Sequence, residues 1–530
     1  MDCRFHTAVG VSMISFSACS TGYSRAVATF AAGVLLAVIT ACSTQPVDYP
    51  SAESWSITGP EDAALARLAD EFVDKHGQLS GIFPLFNGID SFDTRTDLIR
   101  HAQVSIDIQV FLYHEDVVGN LFGARLFDAA DRGVRVRLLL DDFHSADVEL
   151  SMLAASRHPN IEVRLFNPFS RSRSRSLELV GNMSRLNRRM HNKSFTVDNR
   201  VAVVGGRNIG DEYFEASEEV TFLDMDLLCV GPIVAEVSAE FDRYWNSAQA
   251  VPVEAFADRL DDKSLEDARQ ETSRAVEEMR STAFGQAINS EILPQLLAGK
   301  LQWAPADVTL LFDEPEPGDD PDRSMVMTPE IVKLGADVQD DVFIITPYFV
   351  PQKEGVELLV SIAARGARVR ILTNSLASTN QLAVHAGYKR YRKELLRAGI
   401  ELYELVPWLV LEDHPAESSG IYLTLHAKVF AMDEQKLFVG SFNLDPRSAD
   451  INTEMGLVVS SAEITSAYLQ MVDNVLDDIA YSVTLDEGDR LRWNYSGASG
   501  STTATKEPET SWWLRTKVWF AGLLPIEGQL

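Results

Sequence analysis

The chain has 530 residues, 46% of them hydrophobic and 23% charged. This is a globular composition, and the length suits two to four domains of roughly 100–200 residues each. A formal net charge of −30 and a pI near 4.7 argue against a nucleic-acid partner, which needs a basic face. They leave room for a small anionic substrate in a locally basic cleft.

Residues 1–42 read as a targeting segment. Arg25 precedes an apolar run from Ala26 to Ile39, too short for a comfortable membrane span, which ends Ile39-Thr-Ala-Cys42-Ser43. That ending is similar to the lipobox of bacterial lipoproteins, with Cys42 as the lipidated residue. The alternative is a plain signal peptide with a chance Cys. Ser43 after Cys42 leans towards a periplasm-facing, membrane-anchored protein. Residues 43–61 are polar and read as a tether. Cys3, Cys19 and Cys42 all lie in this leader, so the body keeps Cys229 alone and no internal disulfide is expected. Within Leu227-Leu-Cys-Val230, Cys229 reads as a buried strand residue.

Residues 62–250 form a first lobe. Helices are expected at Ala63–His76 and Asp93–Ala102, then a strand at Val104–Tyr113, a helix at Gly119–Arg132, Gly133, and a strand at Val134–Asp141. Strand, helix, Gly, strand outlines a βαβ unit. Residues 251–302 are charged and helical in pattern, a connector. Residues 303–485 repeat the outline as a second lobe: Val342–Thr346, a helix near Gly355–Arg365, Gly366, then Ala367–Asn374. Arg132-Gly-Val-Arg-Val-Arg and Arg365-Gly-Ala-Arg-Val-Arg nearly coincide, so the duplication spans whole lobes. Two stretches stand apart. Ser170–Met190 carries Arg171, Arg173, Arg175, Arg185, Arg188 and Arg189, either a rim for anionic headgroups or a solvated face. Residues 486–530 end in a tail with Trp512, Trp513, Arg515, Lys517, Trp519 and Phe520, suited either to a membrane interface or to packing on the body.

The strongest signal is a doubled motif. His191-Asn-Lys193-Ser-Phe-Thr-Val-Asp198 precedes Gly205-Gly-Arg-Asn208, and His426-Ala-Lys428-Val-Phe-Ala-Met-Asp433 precedes Gly440-Ser-Phe-Asn443. Every marked position is offset by 235 (426 − 191 and 443 − 208). On a strand, His191 and Lys193 share a face. Asp198-Asn199-Arg200 is a turn signal, so Asp198 and Asp433 are expected to be more structural than catalytic. Two such edges brought together offer two His, two Lys and two Asn, a set suited to a phosphodiester. Lys193 and Lys428 neutralise its oxygens, and Asn208 and Asn443 donate to them. One His attacks phosphorus while the other protonates the leaving oxygen. Each His needs a carboxylate to fix its tautomer. The candidates are Asp224 or Asp226, and Glu454; Asp224 is preferred because its distance to Gly231 equals that from Glu454 to Ser461.

The two motif copies resemble those of the phospholipase D superfamily over roughly residues 80–480. Within it, Gln109–Tyr113, Arg132–Asp142, Val204–Phe214, Thr373–Ala377, His385–Tyr388 and Leu524–Leu530 are most similar to bacterial cardiolipin synthases of the C type. Asn380 stands where such enzymes are expected to carry Asp. The resemblance implies an α/β fold of two phospholipase D-like α/β/α sandwich lobes related by a pseudo-two-fold, with the active site at their seam. Its catalytic set is His191, Lys193, Asp198, His426, Lys428 and Asp433, with His191 the nucleophile through a phosphohistidine. It further implies no cofactor or metal, and phospholipid substrates taken from a membrane, giving cardiolipin. A phospholipase D-type hydrolase and an inactive surface scaffold are the competing readings.

Overall fold

The computed structural model describes residues 49–171, 174–260, 263–288, 291–315, 325–408, 421–497, 500–524 and 526–530. Cys42 and the targeting segment, as well as Arg173, lie outside them.

The first lobe contributes β1 (Ser80–Leu85), β2 (Ser105–Val110), β3 (Arg135–Asp141), β4 (Ile161–Phe166), β5 (Ser194–Val197), β6 (Val201–Gly205), β7 (Val220–Leu223), β8 (Asp226–Val230) and β9 (Ala250–Pro252). The second contributes β10 (Ala304–Phe312), β11 (Asp341–Ile345), β12 (Arg368–Asn374), β13 (Glu401–Leu405), β14 (Tyr422–Leu425), β15 (Val429–Met432), β16 (Lys436–Gly440), β17 (Met455–Ser460) and β18 (Ala480–Leu485). The first lobe's sheet runs β9-β4-β3-β2-β5-β6-β8-β1. The second runs β18-β13-β12-β11-β15-β16-β17-β10, the same order strand for strand. The equivalent strands β1 and β10 then pair antiparallel, Ser80 opposite Ala306 and Ile82 opposite Ala304. Joining through equivalent elements is what a pseudo-two-fold requires. It fuses both lobes into one sheet, which β19 (Leu491–Tyr495) and β20 (Thr502–Ala504) extend past β18 to a total of 18 strands.

The βαβ units follow the expected pattern. The parallel pairs β2–β3 and β11–β12 are bridged by helices Val117–Asp131 and Gln352–Ala364. Gly133 (φ 95°) and Gly366 (φ 98°) follow those helices in the left-handed region, where any side chain would be strained. The expected Asp93–Ala102 helix starts earlier, at Gly88, because the Asn87 side chain accepts from Asp90 N and caps it. Every residue of β2 is buried, as in a sheet covered on both faces. Cys229 is buried in β8.

Two cores decide how the lobes relate. One is the first lobe's own, and Ala268, Phe284, Leu293 and Leu296 of the connector belong to it. The other mixes the lobes: Val204, Leu227, Ile233 and Val237 pack with Val439, Leu457 and Leu469. A shared apolar core of this kind holds the seam as firmly as the interior of one domain.

Two expectations need correction. The tether does not hang free over its described part. Carbonyls of Ala52 and Ser54 accept from the buried guanidiniums of Arg164 (2.7 Å) and Arg137 (2.8 Å), and Gly59 N donates to Asp198 O at 2.8 Å. Among the described residues, the basic stretch is neither a free rim nor a solvated face, because its cations there are internal ties. Arg171 pairs with Asp142 and Glu149, both at 2.5 Å, Arg175 reaches Asp142 O at 2.7 Å, and Arg185 binds Asn167 Oδ1 at 2.6 Å. Arg188 donates to Glu314 O at 3.2 Å, and Arg189, fully buried, faces Asp141 at 3.4 Å.

Candidate active site

The motif's third letter is placed first, because it fixes the hairpin. Asp198 and Asn199 sit in the left-handed region (φ 54° and 49°) between β5 and β6, which short polar residues tolerate. The Asp198 carboxylate accepts backbone N–H groups of Gln103 (2.9 Å), Val104 (2.8 Å) and Ser105 (3.0 Å). Asp433 repeats this with Gln339 (3.0 Å), Asp340 (2.8 Å) and Asp341 (3.1 Å). Both therefore act as clamps between the hairpin and a neighbouring strand, away from the chemistry. Asp198→Ala leaves three donors short of an acceptor, and a loss of stability on the order of 3 kcal/mol is expected. Denaturant unfolding would measure it, with turnover per folded molecule unchanged; a catalytic Asp198 would show the opposite.

The histidines are positioned by a strand exchange. β7 leaves the first lobe and pairs parallel with β14 of the second, Leu223 opposite Leu425. Leu223 O then accepts from His426 N at 2.8 Å and Ala427 N at 2.9 Å. The next residue, Asp224, thus lands beside His426, with Oδ2 2.6 Å from Nδ1. The mirror image occurs at the other His. Thr453 N donates to Arg189 O at 2.9 Å, and His191 N to Thr453 O at 2.8 Å. Glu454 follows, with Oε2 2.8 Å from His191 Nδ1. The carboxylates are crossed: each lobe orients the other lobe's histidine. Asp226 is excluded from this role, since it is spent on Arg95 (3.0 Å), Arg207 (3.1 Å) and Ser91 (2.6 Å).

The pairs are not identical. Ser441 Oγ donates to Glu454 Oε2 at 2.5 Å. Its counterpart at offset 235 is Gly206, where a Cβ would stand 2.3 Å from Asp224 Oδ1. Asp313, the residue after β10, is buried and accepts from Glu454 N at 3.0 Å. Neither partner of Glu454 follows from the sequence reading; the Gly206/Ser441 mismatch within the repeat is the one signal the sequence holds.

Both lysines are buried, Lys193 3% and Lys428 1% exposed. Lys193 Nζ donates to His191 O at 2.6 Å, and Lys428 Nζ to His426 O. Aromatic rings wall the site. Phe111 meets His191 edge-on at 5.2 Å, Phe222 stacks on His426 at 5.3 Å, and Tyr213 meets it edge-on at 5.2 Å. The asparagines serve this frame. Asn208 donates to Tyr213 Oη at 2.9 Å and accepts from Leu112 N at 3.2 Å, while Asn443 Nδ2 lies 3.4 Å from Ser448 Oγ. The phosphate-donor role expected of them would use the amide hydrogens that these contacts leave over.

Burial sets the electrostatics. It pulls Lys193 down to about 7 and Lys428 down to about 8. Burial, joined by the two lysines, holds His191 well below its ordinary value; burial and Lys428 bring His426 to about 3. Burial pushes Glu454 up to about 7. Burial also opposes ionisation of Asp224, but His426, Lys428 and Arg207 outweigh it and hold its carboxyl below the usual range. One histidine is therefore backed by a firmly ionised carboxylate and the other by one near neutrality. Because the free site's lysines discharge as pH rises through about 7 and 8, kcat/KM for an anionic substrate should fall on the alkaline side from about pH 7. A profile flat to about pH 10, where ordinary lysines titrate, would contradict this.

Known proteins match this chain in sequence and in fold. The family model described as "Cardiolipin synthase, PLD-like domain" matches residues 96–245 and 336–476. The chain is 39% identical over 469 residues to cardiolipin synthase C of Escherichia coli, covering 87% of this chain and 99% of the relative. It is 26% identical over 375 residues to cardiolipin synthase B of Salmonella typhi, covering 71% and 75%. The crystal structure of phosphatidylserine synthase from Haemophilus influenzae superposes with a TM-score of 0.51 at 13% identity, covering 78% of this chain and 91% of that one, a likeness of fold. The chain belongs to the cardiolipin synthase family of phospholipase D-like proteins.

Proposed function

We propose that the protein transfers a phosphatidyl group to a hydroxyl of phosphatidylglycerol, forming cardiolipin, through a covalent phosphohistidine on His191. The observation that carries this is the pair of crossed, unequal His–carboxylate contacts over two buried lysines. Nδ1 of each His is occupied by its carboxylate, which leaves Nε2 for chemistry. His191 Nε2 attacks phosphorus and the bond to the leaving oxygen breaks. His426, whose proton affinity the bound anionic phosphate and ionised Asp224 raise from its free-site value, gives that oxygen its proton. The now neutral His426 takes the proton of the acceptor hydroxyl, whose oxygen attacks phosphorus, and the P–N bond breaks to restore His191. Lys193 and Lys428 neutralise the phosphoryl oxygens throughout, in a site screened from water.

Incubation with labelled phosphatidylglycerol tests the reading. Cardiolipin with released glycerol is expected; phosphatidic acid as main product would instead establish the hydrolase. We further propose that the protein works attached to a membrane, facing the periplasm, through acylated Cys42. In support, no helix among the described residues is long and apolar enough to cross a bilayer, so a lipid anchor would supply what they lack. Radiolabelled palmitate incorporation that disappears in Cys42→Ala is the expected result.

A further inference from the structure

The helix Trp512–Ala521 is two-sided. Leu514, Val518 and Ala521, at helical spacing, pack on Leu376 and Ala386 of the second lobe. Its far end is pinned as well: Glu527 pairs with Arg390 and Tyr391, and Arg390 holds Gly522 O. The outer face and the turn beyond it carry Trp512, Trp513, Trp519, Phe520, Leu523 and Leu524, each 52–62% exposed. Trp512 and Trp513 stack at 3.9 Å, and Trp519 meets Phe520 edge-on at 5.0 Å. A cluster of this size on a pinned helix is not ordinary surface.

Charge and chemistry name the occupant. Although the chain holds 77 acidic residues, residues 510–526 contain no Asp or Glu, and Arg515 and Lys517 are the charges there. Trp with Lys and Arg, and no carboxylate, is the composition of an element that lies in an anionic bilayer's headgroup region. At 10 residues the helix is far too short to span. Its seat is also joined to the site. Leu376 lies two residues beyond Asn374, whose side chain donates to Leu425 O at 2.9 Å, directly before His426.

We propose that this outer face is a bilayer-docking surface that seats the second lobe on an anionic phospholipid membrane and turns the seam towards it. The inference rests on the proposed action on phospholipids, since it assigns how the substrate reaches that site. Full-length protein bound to vesicles of phosphatidylglycerol and phosphatidylethanolamine with brominated acyl chains provides the test. No tryptophan precedes Trp55, so the leader cannot report. Wild type should lose at least half its quenchable fluorescence when Trp512, Trp513 and Trp519 become Phe, which keeps the face apolar but removes the reporters. Equal quenching in that variant, or none in wild type because a second copy of the chain covers the face, overturns the proposal. The double variant Trp519→Asp with Phe520→Asp should lower transfer on vesicles about tenfold and leave transfer on monomeric dihexanoyl phosphatidylglycerol unchanged. Equal turnover of vesicles by wild type and variant also overturns it. Loss of monomer turnover in wild type itself would strike the proposed reaction and leave the docking result standing.

Discussion

His191→Ala should abolish turnover, with a fall in kcat on the order of 10⁶-fold, the scale seen when a covalent nucleophile is removed. His426→Ala should cost less, about 10²–10⁴-fold, because a general acid assists a step that the nucleophile still initiates. The two losses differ in kind as well as size. With a good leaving group such as p-nitrophenol, His426→Ala no longer needs an acid to expel the alcohol. It should release one equivalent of nitrophenol in a burst and then stall, lacking the base for the second step. His191→Ala should show no burst with any leaving group. Both variants should fold normally, since each His ring is held by few side chains and the backbone carries the rest of the seam. Stopped-flow nitrophenol release measures all of this, and a burst in His191→Ala would reverse the assignment of roles.

The crossed carboxylates give the second large effect. Asp224→Asn should lower kcat by about 10³–10⁴-fold, as removing an ionised orienting carboxylate does. Since Asp224 touches His426 and not His191, its loss should behave like a weakened general acid, with the burst on p-nitrophenyl substrate retained. Glu454→Gln should slow the burst itself, because Glu454 holds the nucleophile. Were the carboxylates paired within their own lobes, the two signatures would exchange. Asp226→Asn should cost stability instead, because it breaks a buried cluster with Arg95 and Arg207.

What the sequence made legible follows from what is local. The repeat of His, Lys and Asn at one offset, the βαβ outline, and Asp198 in a turn depend on neighbours a few residues apart, and the structure has them so. The crossing could not be read, because it arises where β7 meets β14 some two hundred residues later. Nothing in the spacing of Asp224 records that meeting. The arginines of the basic stretch misled for the same reason. Asp142 and Glu149, which neutralise Arg171 and Arg175, precede the stretch by a helix and a strand, so part of a run that reads as excess charge is a closed ion cluster. The Trp-rich tail was undecided between packing and exposure, and the helix does both on opposite faces.

The most direct test of the central claim is the fate of phosphorus in the His426→Ala protein. After reaction with the p-nitrophenyl ester of phosphatidic acid, the protein is quenched, digested and sequenced by mass spectrometry. One phosphatidyl adduct is predicted, on His191 within the peptide containing Asn192 and Lys193. An adduct on any other residue, or product formed by the His426→Ala enzyme with no adduct at all, would contradict the two-histidine mechanism.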